Sequence, residues 1–171
     1  QSASQYQYSS ELYQRAAVFE DSHIEKIKLE ILGATAAMRG YMQSKMNDSA
    51  RSSFVQRIEK HFDRACDISG MMEWNDFDRQ KLIDLGRDAG TASGENALDL
   101  FDRVRSRIDE RQHPSAGSYF LLLGFGNAAI ELLKVRNPEE LPKIHVVVSS
   151  VRTVALSLSV RLAGMSGMQR A

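Results

Sequence analysis

Three sets of residues in this sequence have the types and spacing to do chemistry. Gly124-Phe125-Gly126-Asn127-Ala128-Ala129 spells G-x-G-x-x-A, the glycine turn through which a strand enters a helix in dinucleotide-binding folds. On that reading Tyr119–Leu123 is the first strand, Gly124 makes the tight turn, and Gly126 lets a pyrophosphate approach the backbone. Ala129 then packs the helix on the sheet. Ile144–Val148 becomes the second strand, and Ser149, Ser150 and Arg152 follow it where an acidic residue would mark NAD, so the match is to NADP. Glu20-x-x-His23 and Glu110-x-x-His113 are the Glu-x-x-His unit of carboxylate-bridged di-iron bundles, with Glu30 and Glu59 as candidate partners. Arg103, Arg105, Arg107 and Arg111 form a cluster that could meet phosphates.

Each set has a plainer reading in its surroundings. A dinucleotide fold needs several more parallel strands than the residues after Val148 can supply, and a two-stranded parallel sheet with open edges is not viable alone. The glycines then belong to a buried helix that another helix crosses closely. His113 abuts Pro114, Glu20 and His23 flank an apolar seam rather than lying on it, and Glu30 and Glu59 fall on outward positions. Asp102 and Asp109 interleave with the arginines, which gives a solvated face of mixed charge. Asp84 and Asp88 share a helix face and read as solvated acids; His61 and His145 read as surface or satisfied histidines. Cys66, between Ala65 and Ile68, reads as a small buried residue. The sequence contains no G-x-S-x-G elbow, P-loop, H-E-x-x-H or Cys/His pairing. No catalytic, cofactor-binding or metal residue is assigned, and no cofactor is expected.

The elements that would position these residues are helices. From Gln112 to Ile130 there is no Asp, Glu, Lys or Arg, in a chain that is 26% charged, so Ser115–Arg136 reads as the apolar centre of the fold. Residues 1–10 are polar and read as a flexible arm. Ser9 or Ser10 can cap a helix running from Glu11 to Met46, with a seam at Ile24, Ile27, Ile31, Ala34, Met38 and Tyr41. Gly33 and Gly40 mark a bend or a close crossing. The Met38–Met42–Met46 row reads as core. Asn47-Asp48-Ser49 breaks and caps a second helix from Ala50 to about Met72, burying Phe54, Ile58, Phe62, Ala65 and Ile68 or Ser69.

Glu73-Trp74-Asn75-Asp76 interrupts, with Asn75 or Asp76 as cap of a third helix to Arg87 that Gly86 and Gly90 stop. Ser93 caps a fourth from Glu95 to Arg111, with Ala97, Leu98, Phe101, Val104 and Ile108 inward. After the central helix, Asn137-Pro138-Glu139-Glu140 is a helix start. Lys143–Met165 reads as a helix with Ile144, Val148, Val151, Ala155, Leu158, Leu162 and Met165 on one stripe; its valines make a strand the alternative. The expected fold is all-α, a bundle of about six helices around the central apolar one, with helices 11–46 and 143–165 packed on it. An α/β arrangement of the C-terminal third is the alternative. Residues 11–171 form a single helical domain.

The 171 residues carry 22 basic and 22 acidic side chains, and this zero balance removes the usual electrostatic warrant for nucleic acid. The single cysteine gives no sign of an oxidising compartment, which favours the cytoplasm. The chain opens on Gln1, as a processed product or a fragment would. Neither apolar stretch reads as a membrane span. The function expected is a non-catalytic interaction module, an assembly subunit or a regulatory or sensory domain. It would act through protein–protein contacts, as a homo-oligomer or with another protein, through helix 143–165. The alternatives are an NADP-type enzyme fragment using Gly124, Gly126 and Ala129, and a nucleic-acid-binding coat or adaptor using the Arg103–Arg111 cluster.

Overall fold

The computed structural model describes residues 3–44, 48–72 and 76–170, the side chains of Asp48 and of residues 161–170 excepted. The described residues form seven helices and no strand: α1 (Ala3–Phe19), α2 (His23–Gln43), α3 (Asp48–Ser69), α4 (Asp76–Ala92), α5 (Ala97–Asp109), α6 (Ala116–Arg136) and α7 (Leu141–Arg170). Single 3-10 turns, Gly94–Asn96 and Pro138–Glu140, lead into α5 and α7. The expected all-α bundle is the fold, and the C-terminal third contains no sheet.

α6 is the centre. Every residue from Ala116 to Gly126 is buried, and Ala128, Ala129, Ile130 and Leu133 continue the burial. Ser115 starts the helix by accepting a hydrogen bond from the Ser118 N–H, and Lys134 and Arg136 suit the negative end of its dipole. α4 lies closest to it, against the expectation that the first long helix would. Gly86 and Gly90 do not stop α4; they sit inside it and let α6 approach. A Cβ on Gly86 would overlap the Leu121 carbonyl, and one on Gly90 would lie 2.9 Å from the Phe125 carbonyl oxygen. α7, α5 and α3 meet α6 on other sides, with the Phe62 ring of α3 5.8 Å from that of Phe125, and α2 packs on α3 and α4.

The N-terminal third departs most from the sequence reading. The arm expected over residues 1–10 is helical from Ala3, and the single helix expected from Glu11 divides at Glu20–Ser22. There Glu20 Oε1 accepts from the backbone N–H groups of Asp21 and Ser22 (3.1 and 3.2 Å), and Ser22 Oγ accepts from the Glu25 N–H. Ser22-x-x-Glu25 has the spacing of a capping box, the sequence signal for this boundary. The α2 seam is buried as expected at Ile27, Ile31, Ala34 and Met38. Gly33 and Gly40 mark its close crossing with α3: Cβ atoms there would overlap the rings of His61 and Phe54.

Ser93 does not cap α5. It is buried and donates to the Ala89 carbonyl, while Gly94 takes the positive φ (54°) that the turn needs. Met46, the caps at Asn47 and Asn75, and the Glu73-Trp74 break lie outside the described residues, as do the side chains of Leu162 and Met165.

Candidate functional site

The G-x-G-x-x-A residues lie in the interior of α6, so Gly124, Gly126 and Ala129 present no helix N-terminus and no strand precedes them. Their role is steric. A Cβ on Gly124 would overlap the Ile83 carbonyl oxygen of α4, and one on Gly126 would lie 2.7 Å from Val148 of α7 and 3.0 Å from the Phe101 ring of α5.

Neither Glu-x-x-His pair lies within one helix. Glu20 occupies the α1–α2 corner with His23 exposed beyond it, and Glu110 and His113 are both exposed past the end of α5. Among the described residues no group of three or more His, Cys, Asp or Glu side chains is placed to hold a metal ion. Asp84 and Asp88 are exposed, and Asp84 accepts from Gln80 at 2.9 Å.

The arginine cluster is matched by acids. Arg107 reaches Asp63 and Glu59 of α3, Arg111 lies 2.7 Å from Asp67, Arg103 is within 3.8 Å of Glu59 and 3.6 Å of Asp99, and Arg105 is 3.7 Å from Asp109. The hydrogen bond to Asp63 holds the Arg107 guanidinium pKa above its ordinary value. A groove of about 440 Å³ there is therefore lined by a charge ladder, Asp63, Asp67, Arg107, Glu110 and Arg111, in which acids and arginines pair.

One polar cluster was not read from the sequence. Glu30 does not face outward; it is 2% exposed and meets His61, also 2% exposed, with Glu30 Oε2 2.7 Å from His61 Nδ1. His61 Nε2 lies 2.7 Å from the hydroxyl of Ser10, which is 1% exposed, and Arg64 Nε donates to both Glu30 oxygens at 3.0 Å. Hydrogen on Nδ1 and a hydroxyl donating to Nε2 links Ser10, His61 and Glu30 in one chain, while Arg64, whose Nη2 also lies 3.1 Å from Nδ1, is paired to Glu30 through its Nε. Serine, histidine and glutamate are the types of a nucleophile relay. Acyl transfer also needs an accessible hydroxyl and free N–H donors for the oxyanion. Ser10 is buried inside α1, where the backbone N–H groups belong to the helix. A groove of about 350 Å³ beside His61 is lined by Gln14, Arg57, Lys60 and Arg64 and stops short of Ser10. The chain joins α1, α2 and α3 across their shared interior, and Gly33 makes the slot that His61 fills.

Among the described residues α7 carries an exposed apolar face. Ile144, Val148, Val151 and Ala155 seat it on α6. Away from that seat Val146 is 71% and Val160 70% exposed, with Leu156 and Val154 also open. Ser149, Ser150, Thr153 and Ser157 share the exposed side. Arg79 of α4 pins the far half of the helix by donating to Ser159 Oγ at 3.0 Å while lying over the Phe120 ring.

Beside the near half a notch of about 270 Å³ opens between α5, α6 and α7. Val146, Val147, Val151 and Val154 form one wall; Arg105, Asp109 and Tyr119 form the other. Tyr119 donates to Asp109 Oδ1 at 3.0 Å. Burial pushes the Tyr119 phenol up to about 12, and its hydrogen bond to Asp109 acts in the same direction.

Comparison with protein-family models, with curated proteins and with solved structures finds no match to this chain. The described residues define an all-α bundle of seven helices with an exposed apolar face on its last helix.

Proposed function

We propose that this chain is a non-catalytic interaction module that self-associates through α7. The observation that carries the reading is the exposure of Val146 and Val160 on a helix that the Ile144, Val148, Val151 and Ala155 stripe seats on the bundle. Fully burying an aliphatic side chain is worth roughly 1.5–3 kcal/mol, so a partner covering this face gains several such contributions. The small serines and the threonine between the valines permit close helix approach.

Two helices, α6 and Pro138–Val160, are long and apolar enough by length and composition to cross a membrane. The apolar character of α6 is accounted for by its burial; only 22% of the apolar window in the second stretch is buried. A helix facing lipid is apolar all round, whereas this one carries four hydroxyl side chains on its open face. Arg152, near its middle, would cost about 2.5–3.5 kcal/mol in a bilayer. A protein surface is the better fit. Less support goes to the nucleotide reading, since Gly124, Gly126 and Ala129 lie inside α6, and to the nucleic-acid reading, since the Arg103–Arg111 cluster lies beside acids of α3 and α5.

Light scattering over a concentration series tests the reading, on the intact chain and on a Val146→Glu, Val160→Glu double variant. Both positions are exposed in the monomer, so the variant should fold. The expected result is a mass that rises with concentration for the intact chain and stays monomeric for the variant. A monomeric intact chain at high micromolar concentration overturns self-association, and flotation of the intact chain with liposomes would transfer the face to lipid.

A further inference from the structure

Resting on the α7 reading, the geometry points to the surface of the second copy that α7 receives: the α1–α2 corner, with Phe19 entering the α5–α6–α7 notch head to tail. Pairing α7 with α7 is disfavoured by charge. From Leu141 to Arg170 the sequence has no Asp or Glu, but it has Lys143, Arg152, Arg161 and Arg170. Two such helices side by side set basic charges against each other with no acid on either helix. The complementary surface has to be apolar and acidic.

The α1–α2 corner is both. Phe19 is 86% exposed at the end of α1, next to exposed Val18, and Glu20 and Asp21 follow. The Glu20 carboxylate is engaged by the N–H groups of Asp21 and Ser22, which fixes the corner and leaves the exposed Asp21 carboxylate for an external cation. Phe19 is an aromatic anchor held at a rigid turn, the kind of residue that dominates interface energetics when a pocket receives it.

The notch matches that anchor. At about 270 Å³ it has room for one aromatic side chain. On its polar wall the Tyr119 hydroxyl already donates to Asp109, with Arg105 3.7 Å from the same carboxylate, so an apolar occupant leaves the phenol with its partner. Phe19 does not fill the notch of its own copy in this fold: it is 86% exposed and is not among the residues that line the notch. A contact between two different surfaces of the same chain repeats, as an open row or a closed ring.

Two variants and their mixture provide the test. Phe19→Ser removes the anchor at a solvent-exposed position. Ser150→Trp, at an exposed position lining the notch, fills it. Each alone should raise the concentration for half-association at least tenfold, and both should keep the native helical circular dichroism. Mixed one to one, each supplies what the other lacks: the intact notch takes the intact Phe19, and scattering should show a dimer that grows no further. If Phe19→Ser associates as the intact chain does, or if the mixture stays monomeric, the corner is not the partner. In the first case loss of association in the Val146→Glu, Val160→Glu variant would leave the α7 reading standing. A monomeric intact chain overturns both.

Discussion

Gly124 of α6 lies against Ile83 of α4 so closely that a Cβ on the glycine would overlap the Ile83 carbonyl oxygen. Backbone meets backbone there, so nothing can rotate away. Gly126, two residues on, faces the side chains of Val148 and Phe101, which can give. Gly124→Ala should therefore destabilise by about 1–3 kcal/mol through overpacking, and Gly126→Ala by less. Urea midpoints of the two variants check the ranking; equal midpoints would contradict it.

The Ser10–His61–Glu30 chain behaves as a unit if its members satisfy one another. Ser10→Ala should cost about 1 kcal/mol, and His61→Ala more, since it also opens a cavity beside Gly33. The double variant should cost less than the sum of the two, because the hydrogen bond is lost only once. Strict additivity in a double-mutant cycle would mean that the 2.7 Å contact contributes nothing.

This cluster also shows where the sequence stopped being legible. The helical period exposes apolar seams, and the buried residues of α2, α3 and α5 fell where the spacing put them. The charge-free run identified α6 as the centre, and its glycines as a crossing. Periodicity treats a glutamate as outward, however, and Glu30 is inward because His61 and Arg64 meet it from another helix. Gly86 and Gly90 read as stops by propensity, yet the approach of α6 requires glycine inside a continuous helix. Tertiary contacts decided both. The α1–α2 break has its signal in Ser22-x-x-Glu25, which the seam continuing from Ile24 to Tyr41 outweighs in the sequence pattern. The exposure of α7 depends on which neighbours flank it, which no local pattern encodes.

Alkaline pH should weaken the fold in two steps of the same sign. Burial pushes the Cys66 thiol from 9.0 up to about 11 and the Tyr119 phenol from 10.0 up to about 12. Both hold in the folded state a proton that the unfolded chain releases, so their contribution is complete below the unfolded pKa values and is lost as pH rises through the folded ones. Stability should begin to fall above about pH 9 and fall further toward pH 12. Tyr119→Phe should flatten only the upper part. Urea midpoints from pH 8 to 12 test this, and an unchanged upper limb in Tyr119→Phe would contradict the assignment.

The same burial makes Cys66 a reporter of opening, since the buried thiol stays protonated and inaccessible to a disulfide reagent. Native labelling should be at least about a hundredfold slower than in urea and should accelerate along the unfolding curve. Rapid labelling under native conditions would place Cys66 at a locally open site.

Amide hydrogen exchange on the intact chain, at low and at high protein concentration, tests the central claim most directly. If α7 docks on a second copy, exchange within residues 144–160 slows as concentration rises, while α6, already buried, stays unchanged. Exchange in α7 that is the same at both concentrations would contradict the account.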